Sequence, residues 1–402
     1  MAIESLPAEL LRFVVEQESL TPEDLCSLAL SSPSLRDEAQ RMLFKDPGPL
    51  IIGNERFSDD KFLNSIITSP KRLAPMVRTY SQVIDWERFR NTARKTTTKI
   101  PQKEREARQK LILGKIRRAL QLMVNLKHLR HEELSRSNRL VERITSVLTE
   151  KCSFRLTSFA WTYVAVDGIQ EELELFHHFL PRQPALRSLC FNRIQVPEGL
   201  PVPGDDFYTA ARSVCPLLED FSAPLDFILS VLPMRPTIKR LSWPTCHNDA
   251  NRDKGDISST NLACLSKSLE SLEILDYHCS RWNSHSTSEL LLISSHLKSL
   301  VFLSLDNLSA LTPTILSKLP RLRAVAVTCY RSSVDLQEVK SALVQSPSLS
   351  YIVVYSVWGN RESYQLSWYL RYSLNSENEL TRNDLPIDKH FHWDNMRSFR
   401  IP

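Results

Sequence analysis

Histidines and cysteines are the residues of this sequence that could hold a metal or act as nucleophiles, and their spacing limits what they can do. His177 and His178 are adjacent in a segment of helical periodicity. Neighbouring side chains on a helix diverge by about 100°, so this pair cannot chelate one ion. His390 and His392 stand near Asp388 and Asp394 without a third spaced ligand, and Cys246-His247 is equally bare. The eight cysteines, at 26, 152, 190, 215, 246, 264, 279 and 329, form no CxxC pair and lie in apolar stretches, which reads as buried, reduced thiols. The eight glycines are too sparse for a phosphate-cradling loop or a dinucleotide turn, both of which need closely spaced glycines. No nucleophile elbow, zincin helix or kinase signature is present. The expectation is a chain with no catalytic residue, no metal and no cofactor, working by binding.

Charge narrows what it could bind. Between Arg88 and Arg118 twelve Lys or Arg face two acids, a local net of +10, whereas the whole chain carries +5. One segment thus holds the basicity, and such a segment could neutralise phosphates as a nucleic-acid-binding or nuclear scaffold element. Its only aromatic is Phe89, so base stacking is poorly provided, and a nuclear-import signal or a solvated insertion fits the composition better. No run of about 18 apolar residues occurs, and the first residues are acidic rather than basic. A cytoplasmic or nuclear protein without membrane contact is expected.

The elements that would present a binding surface begin at once. Pro7 suits the first helical position and Glu9 the helix dipole, and the apolar residues through Val15 form one broad face. Thr21-Pro22-Glu23-Asp24 caps and opens a second helix with Leu25, Leu28 and Leu30. Ser32-Pro33 opens a third through Leu35, Ala39, Met42, Leu43 and Phe44, ended by Pro47-Gly48-Pro49. The order Leu6-Pro7-x-Glu9-Leu10-Leu11, then Asp24-Leu25-x-x-Leu28-x-Leu30, then Leu35-Arg36-x-x-Ala39-x-x-x-Leu43-Phe44 resembles an F-box, in the version common among fungal proteins. That resemblance implies docking on the Skp adaptor, and through it on a cullin. Carried over by position, Leu6, Pro7, Leu10, Leu11, Leu25, Leu28 and Leu35 would make the adaptor contact. Pro33 and the missing third-helix Trp depart from the broader pattern.

The rest of the chain repeats. L-x-x-L-x-L frames, with apolar substitutes, start at Leu126, Leu156, Leu186, Leu218, Ile238, Leu269, Leu300, Leu322 and Leu349. Helical periodicity fills the intervals between them. This is the signature of leucine-rich repeats, each unit giving one strand and one helix to a shared core, although the asparagine that usually ties the turns together is absent from every frame. The fold class expected is α/β, a three-helix F-box followed by an irregular leucine-rich-repeat-like solenoid. The boundaries are 1–48 for the F-box, 49–118 for a linker region with the basic insertion, 119–372 for the array and 373–402 for a tail or cap. An α/β domain with buried parallel strands is the alternative arrangement of the same elements.

Alternation along each frame assigns an outward set for a protein target, ending in Tyr351, Val353 and Tyr355 on one strand face. Tyr351 and Tyr355 are the expected anchors, because tyrosine offers large area and a polar tip at low entropic cost. The two tyrosines could equally pack under the C-terminal segment. The expected role is a substrate-recognition subunit of a Skp-cullin-F-box ubiquitin ligase, not itself an enzyme.

Overall fold

The structure is a computed structural model that describes residues 7–17, 19–52, 58–84, 102–133, 144–164, 174–194, 214–223, 225–233, 235–244, 259–278, 285–329, 335–358 and 365–384. It divides into two compact units, Met1–Leu218 and Glu219–Pro402.

Three helices open the first unit: α1 (Ala8–Val15), α2 (Pro22–Ser31) and α3 (Pro33–Lys45). At the start of α2 the Thr21 hydroxyl accepts from the Asp24 amide, and the Asp24 carboxylate accepts from the Thr21 amide. This reciprocal cap satisfies two donors that the helix cannot pair itself. Pro33 takes the first position of α3, where a missing N–H costs nothing. The chain then turns at Gly48, whose φ of 75° is a left-handed conformation that other residues adopt at a cost.

Five strands follow, each parallel to the next in chain order: β1 (Pro49–Ile52), β2 (Thr79–Ile84), β3 (His128–Glu133), β4 (Ser158–Val164) and β5 (Ser188–Ile194). Helices α4 (Ser58–Thr68), α5 (Gln102–Leu122) and α6 (Ile144–Lys151) alternate with them, and a π turn spans Leu175–Phe179. The region 49–118 is therefore no linker. It supplies two strands and two helices of the array, and the expected boundary at 119 is corrected accordingly. The basic stretch splits: residues 102–118 lie in α5, which buries Leu113, Ile116, Ala119 and Leu120, and 88–101 fall outside the described residues.

The second unit continues the pattern with parallel strands β6 (Asp220–Ser222), β7 (Arg240–Pro244), β8 (Ile274–His278), β9 (Phe302–Leu305), β10 (Ala324–Cys329) and β11 (Tyr351–Trp358). Helices α7 (Leu225–Val231), α8 (Ser259–Leu269), α9 (His285–Ser294), α10 (Pro313–Leu316) and α11 (Leu336–Gln345) alternate with them. Two antiparallel strands, β12 (Gln365–Leu374) and β13 (Leu380–Asp384), complete this unit's sheet as far as it is described.

One backbone device recurs at the start of many of the parallel strands. The carbonyl just ahead of a strand accepts two successive amides from the next repeat: Arg78 from Lys127 and His128, Lys127 from Thr157 and Ser158, Lys239 from Glu273 and Ile274, Val301 from Arg323 and Ala324. The repeats are thus locked in register at one rim. Polar side chains outside the frame's usual asparagine position bind backbone groups of neighbouring repeats. Asn125 donates to the Pro75 carbonyl, Gln183 both accepts from the Leu156 amide and donates to the Phe154 carbonyl, and Ser268 donates to the Leu232 carbonyl.

These repeats of parallel strand and helix make an irregular leucine-rich-repeat-like fold. The frame set at Leu269 is displaced by three residues. The strand starts at Ile274 in register with Arg240 and Phe302, so Leu272, Leu275 and Tyr277 are the inward residues of that repeat.

Candidate functional site

The N-terminal helices have a core of their own, made by Leu11, Val15, Leu25, Ala29, Leu35 and Ala39, with Leu28, Met42 and Leu43 packed against it. Leu11, Leu25 and Leu35, expected to meet the adaptor, are therefore internal props of the module, and Leu28 is partly covered by the same core. Leu6 lies outside the described residues. Pro7 is exposed and Leu10 is 50% exposed, as a contact residue must be.

The module also shows apolar residues that position-by-position matching did not assign. Phe13 is 68% exposed, Val14 42% and Leu30 84%. Leu10, Phe13 and Val14 stand at i, i+3 and i+4, one face of α1 turned away from Leu11 and Val15. Their signal was present in the sequence, since α1 is apolar nearly all round and a short amphipathic helix needs only one such face.

A charged seam fixes α1 on α3. Arg12 pairs with Glu38 at 2.9 Å, Arg41 with Glu38 at 2.7 Å, and Arg41 with Glu16 at 2.6 Å. Partial burial raises the Glu38 pKa, but hydrogen bonds from Arg41 and Arg12 outweigh it and hold the carboxyl below its usual range. The module is joined to the array through aromatic stacking: Phe44 of α3 on Phe62 of α4 at 5.7 Å, and Phe62 on Tyr80 of β2 at 6.3 Å. The Arg78 amide, just before β2, also donates to the Lys45 carbonyl at the end of α3.

Tyr351, Val353 and Tyr355 do share one face of β11, as alternation requires, but that face is closed. They are 5%, 3% and 1% exposed. Strand β12 pairs Arg371 with Val353, and the Arg371 guanidinium stacks over the Tyr351 ring at 4.1 Å. The Tyr355 hydroxyl accepts from Thr328 at 2.6 Å, and burial pushes its pKa upward. The surface expected at these three residues is corrected to a buried seam beside the paired strand β12. Large rings among small neighbours such as Ala324 and Ala326 are better shielded than displayed.

In the first unit the inward face carries a buried polar chain. The Tyr80 hydroxyl donates to Gln82, whose amide meets Nδ1 of His131, and the His131 ring stacks on Trp161 at 4.1 Å. Burial drives the His131 pKa down to about 3, so the ring is neutral and Nδ1 accepts. His177 and His178 are exposed side by side, and the expectations placed on Cys246, His247, His390 and His392 fall outside the described residues. Among the described residues no three His, Cys, Asp or Glu side chains converge as a metal set would, and no described helix is long and apolar enough to cross a membrane. Cys190 and Cys215 are buried as expected, whereas Cys26 and Cys264 are exposed.

No protein-family model and no curated protein matches this sequence. Among solved structures the chain is similar to the Rad7 and Elc1 complex in yeast, at 12% identity and a TM-score of 0.42, covering 86% of this chain and 87% of that one. It is also similar to the leucine-rich-repeat-containing protein LegL7 from Legionella pneumophila, at 13% identity and a TM-score of 0.36, over 79% of this chain and 87% of that one. A third likeness is to an internalin of Listeria monocytogenes, at 14% identity and a TM-score of 0.29, over 86% and 87%. At these identities the likeness is one of fold alone.

Proposed function

We propose that this chain is a substrate-recognition subunit of a Skp-cullin-F-box ubiquitin ligase. Its N-terminal helices dock on the adaptor and its repeats hold a protein target. The observation that carries the reading is the exposure of Leu10, Phe13, Val14 and Leu30 on a helical module whose own core is already closed by other leucines. Large apolar side chains left in water on so small a module mark a partner surface. The order of residues across α1, α2 and α3 resembles the F-box, which names that partner as the Skp adaptor.

The contact set is accordingly Pro7, Leu10, Phe13, Val14 and Leu30, with Leu11, Leu25 and Leu35 holding the helices in place behind it. The chain supplies no reacting group. It raises the local concentration of a target's lysines near the charged conjugating enzyme, and that proximity is its contribution to the rate. Co-expression with the Skp adaptor tests the reading. A stable complex is expected, lost in Leu10→Asp/Phe13→Asp and kept in Leu336→Asp, which places the same change on an exposed leucine of α11. A chain that elutes without the adaptor would remove the basis for this assignment.

A further inference from the structure

Helix α5 holds part of the basic stretch, and its two faces differ in chemistry. Leu113, Ile116, Ala119 and Leu120 are buried, so 102–118 is a fixed part of the first unit rather than a solvated insertion. Opposite them Lys103, Ala107, Lys110, Gly114 and Arg118 are all exposed. They follow one another at i, i+4, i+7, i+11 and i+15. At about 100° and 1.5 Å per residue they share a stripe about 80° wide and about 22 Å long. Lys103 and Lys110 have no ion-pair or hydrogen-bond partner among the described residues, and Arg118 reaches the Gln121 side chain at 3.5 Å. The stripe holds no acid, and Glu104 lies about 100° round the helix from Lys103. Gly114 stands between Lys110 and Arg118. A methyl group there would touch nothing within 4 Å, so no packing calls for a glycine that is costlier inside a helix than alanine. It leaves the backbone bare between two cations.

We propose that this face of α5 binds duplex nucleic acid through its phosphate backbones, without reading sequence. The inference does not depend on adaptor docking. Unpaired cations in a line suit a polyanion, and a row of about 22 Å spans roughly six base pairs at 3.4 Å each. Gly114 and the short Ala107 let sugars and phosphates come close between the cations. Helix α5 contains no aromatic residue, so the unstacked bases of a single strand find no platform. Leu111, at 59% exposed, is the one large exposed apolar side chain among the described residues of α5. That is too little for insertion into a membrane or for the apolar centre of a protein interface.

Fluorescence anisotropy on the full chain tests this with fluorescein-labelled DNA and RNA duplexes of 20 base pairs and a 20-nucleotide single strand, across 50 to 200 mM salt. The duplexes should bind more tightly than the single strand, and two DNA duplexes of unrelated sequence should bind alike. Lys103→Gln/Lys110→Gln/Arg118→Gln should weaken duplex binding at least tenfold at 50 mM salt. It should also flatten the slope of log affinity against log salt by about 2 to 3, about one for each lost phosphate contact. Lys267→Gln/Arg321→Gln/Lys340→Gln removes the same charge from exposed positions of the second unit and should change neither value. Lys103→Arg/Lys110→Arg, which keeps the charge, should bind as the wild type does. Thermal melts of the α5 triple variant should match the wild type, because all three side chains are exposed. If that variant melts early, Gly114→Glu decides: an acid set into the row without a steric obstacle should weaken duplex binding, and unchanged affinity overturns the proposal. No duplex binding at 50 mM salt, an equal loss in the two triple variants, or a preference for the single strand also overturns it. Binding to vesicles of phosphatidylserine and phosphatidylcholine with none to either duplex would assign the face to a membrane instead.

Discussion

At the scale of single residues, leucines of one chemistry do opposite tasks within a few positions. Leu25 and Leu35 are buried in the helical module, so Leu25→Ala or Leu35→Ala should cost about 2–5 kcal/mol in urea unfolding, the range for emptying a packed site. Leu10→Ala and Phe13→Ala should change stability by no more than about 0.5 kcal/mol, as expected of side chains already in water. His131 gives a pH test. Its folded pKa of about 3 lies below the ordinary 6.5, so between those values the unfolded chain takes up a proton that the folded chain refuses. Stability from this group is full above pH 6.5 and falls by up to about 1.4 kcal/mol per pH unit as the pH drops toward 3. In His131→Phe that part of the acid slope should vanish from denaturation curves taken between pH 4 and 7; an unchanged slope would mean the ring is not buried in neutral form. Cysteine reactivity follows burial in the same way. The Cys152 thiol is pushed up to about 12 by burial, so alkylation followed by mass spectrometry should label Cys26 and Cys264 early and Cys152, Cys190 and Cys215 late.

At the scale of elements, the helices announced themselves through local chemistry. Proline at the first helical position and the Thr21–Asp24 cap act within one turn, so the starts of α2 and α3 were legible from neighbouring letters. Strands β1 and β2 were not, because their inward positions depart from the leucine frame: Pro49-Leu50-Ile51-Ile52 is too short to show one, and Gln82 stands where a leucine is expected. His131 likewise occupies an inward position of β3, and the Tyr80–Gln82–His131 chain is a pairing that no single strand reveals. At Leu269 two leucines three residues apart, Leu269 and Leu272, both suited the pattern, and only pairing with β7 and β9 selects the second. The face of Tyr351 and Tyr355 was read correctly but not its cover, since β12 folds back from twenty residues downstream. Gly48 gives a clean element-scale test. A methyl group there would touch nothing within 4 Å, so Gly48→Ala should cost about 1–2 kcal/mol through the left-handed backbone alone, read as a lowered midpoint in thermal unfolding.

At the scale of the whole molecule, the exposed apolar side chains of α1 and α2 belong to the first of the two compact units. The repeat fold and the three N-terminal helices were thus open to a reader of the sequence. The central claim is that the N-terminal helices dock on the Skp adaptor, and calorimetric titration of the adaptor into the purified full chain tests it most directly. The account predicts saturable one-to-one binding that weakens at least a hundredfold in Leu10→Asp/Phe13→Asp and is unaltered in Leu336→Asp. No heat of binding with the wild-type chain, or equal affinity in all three proteins, would contradict it.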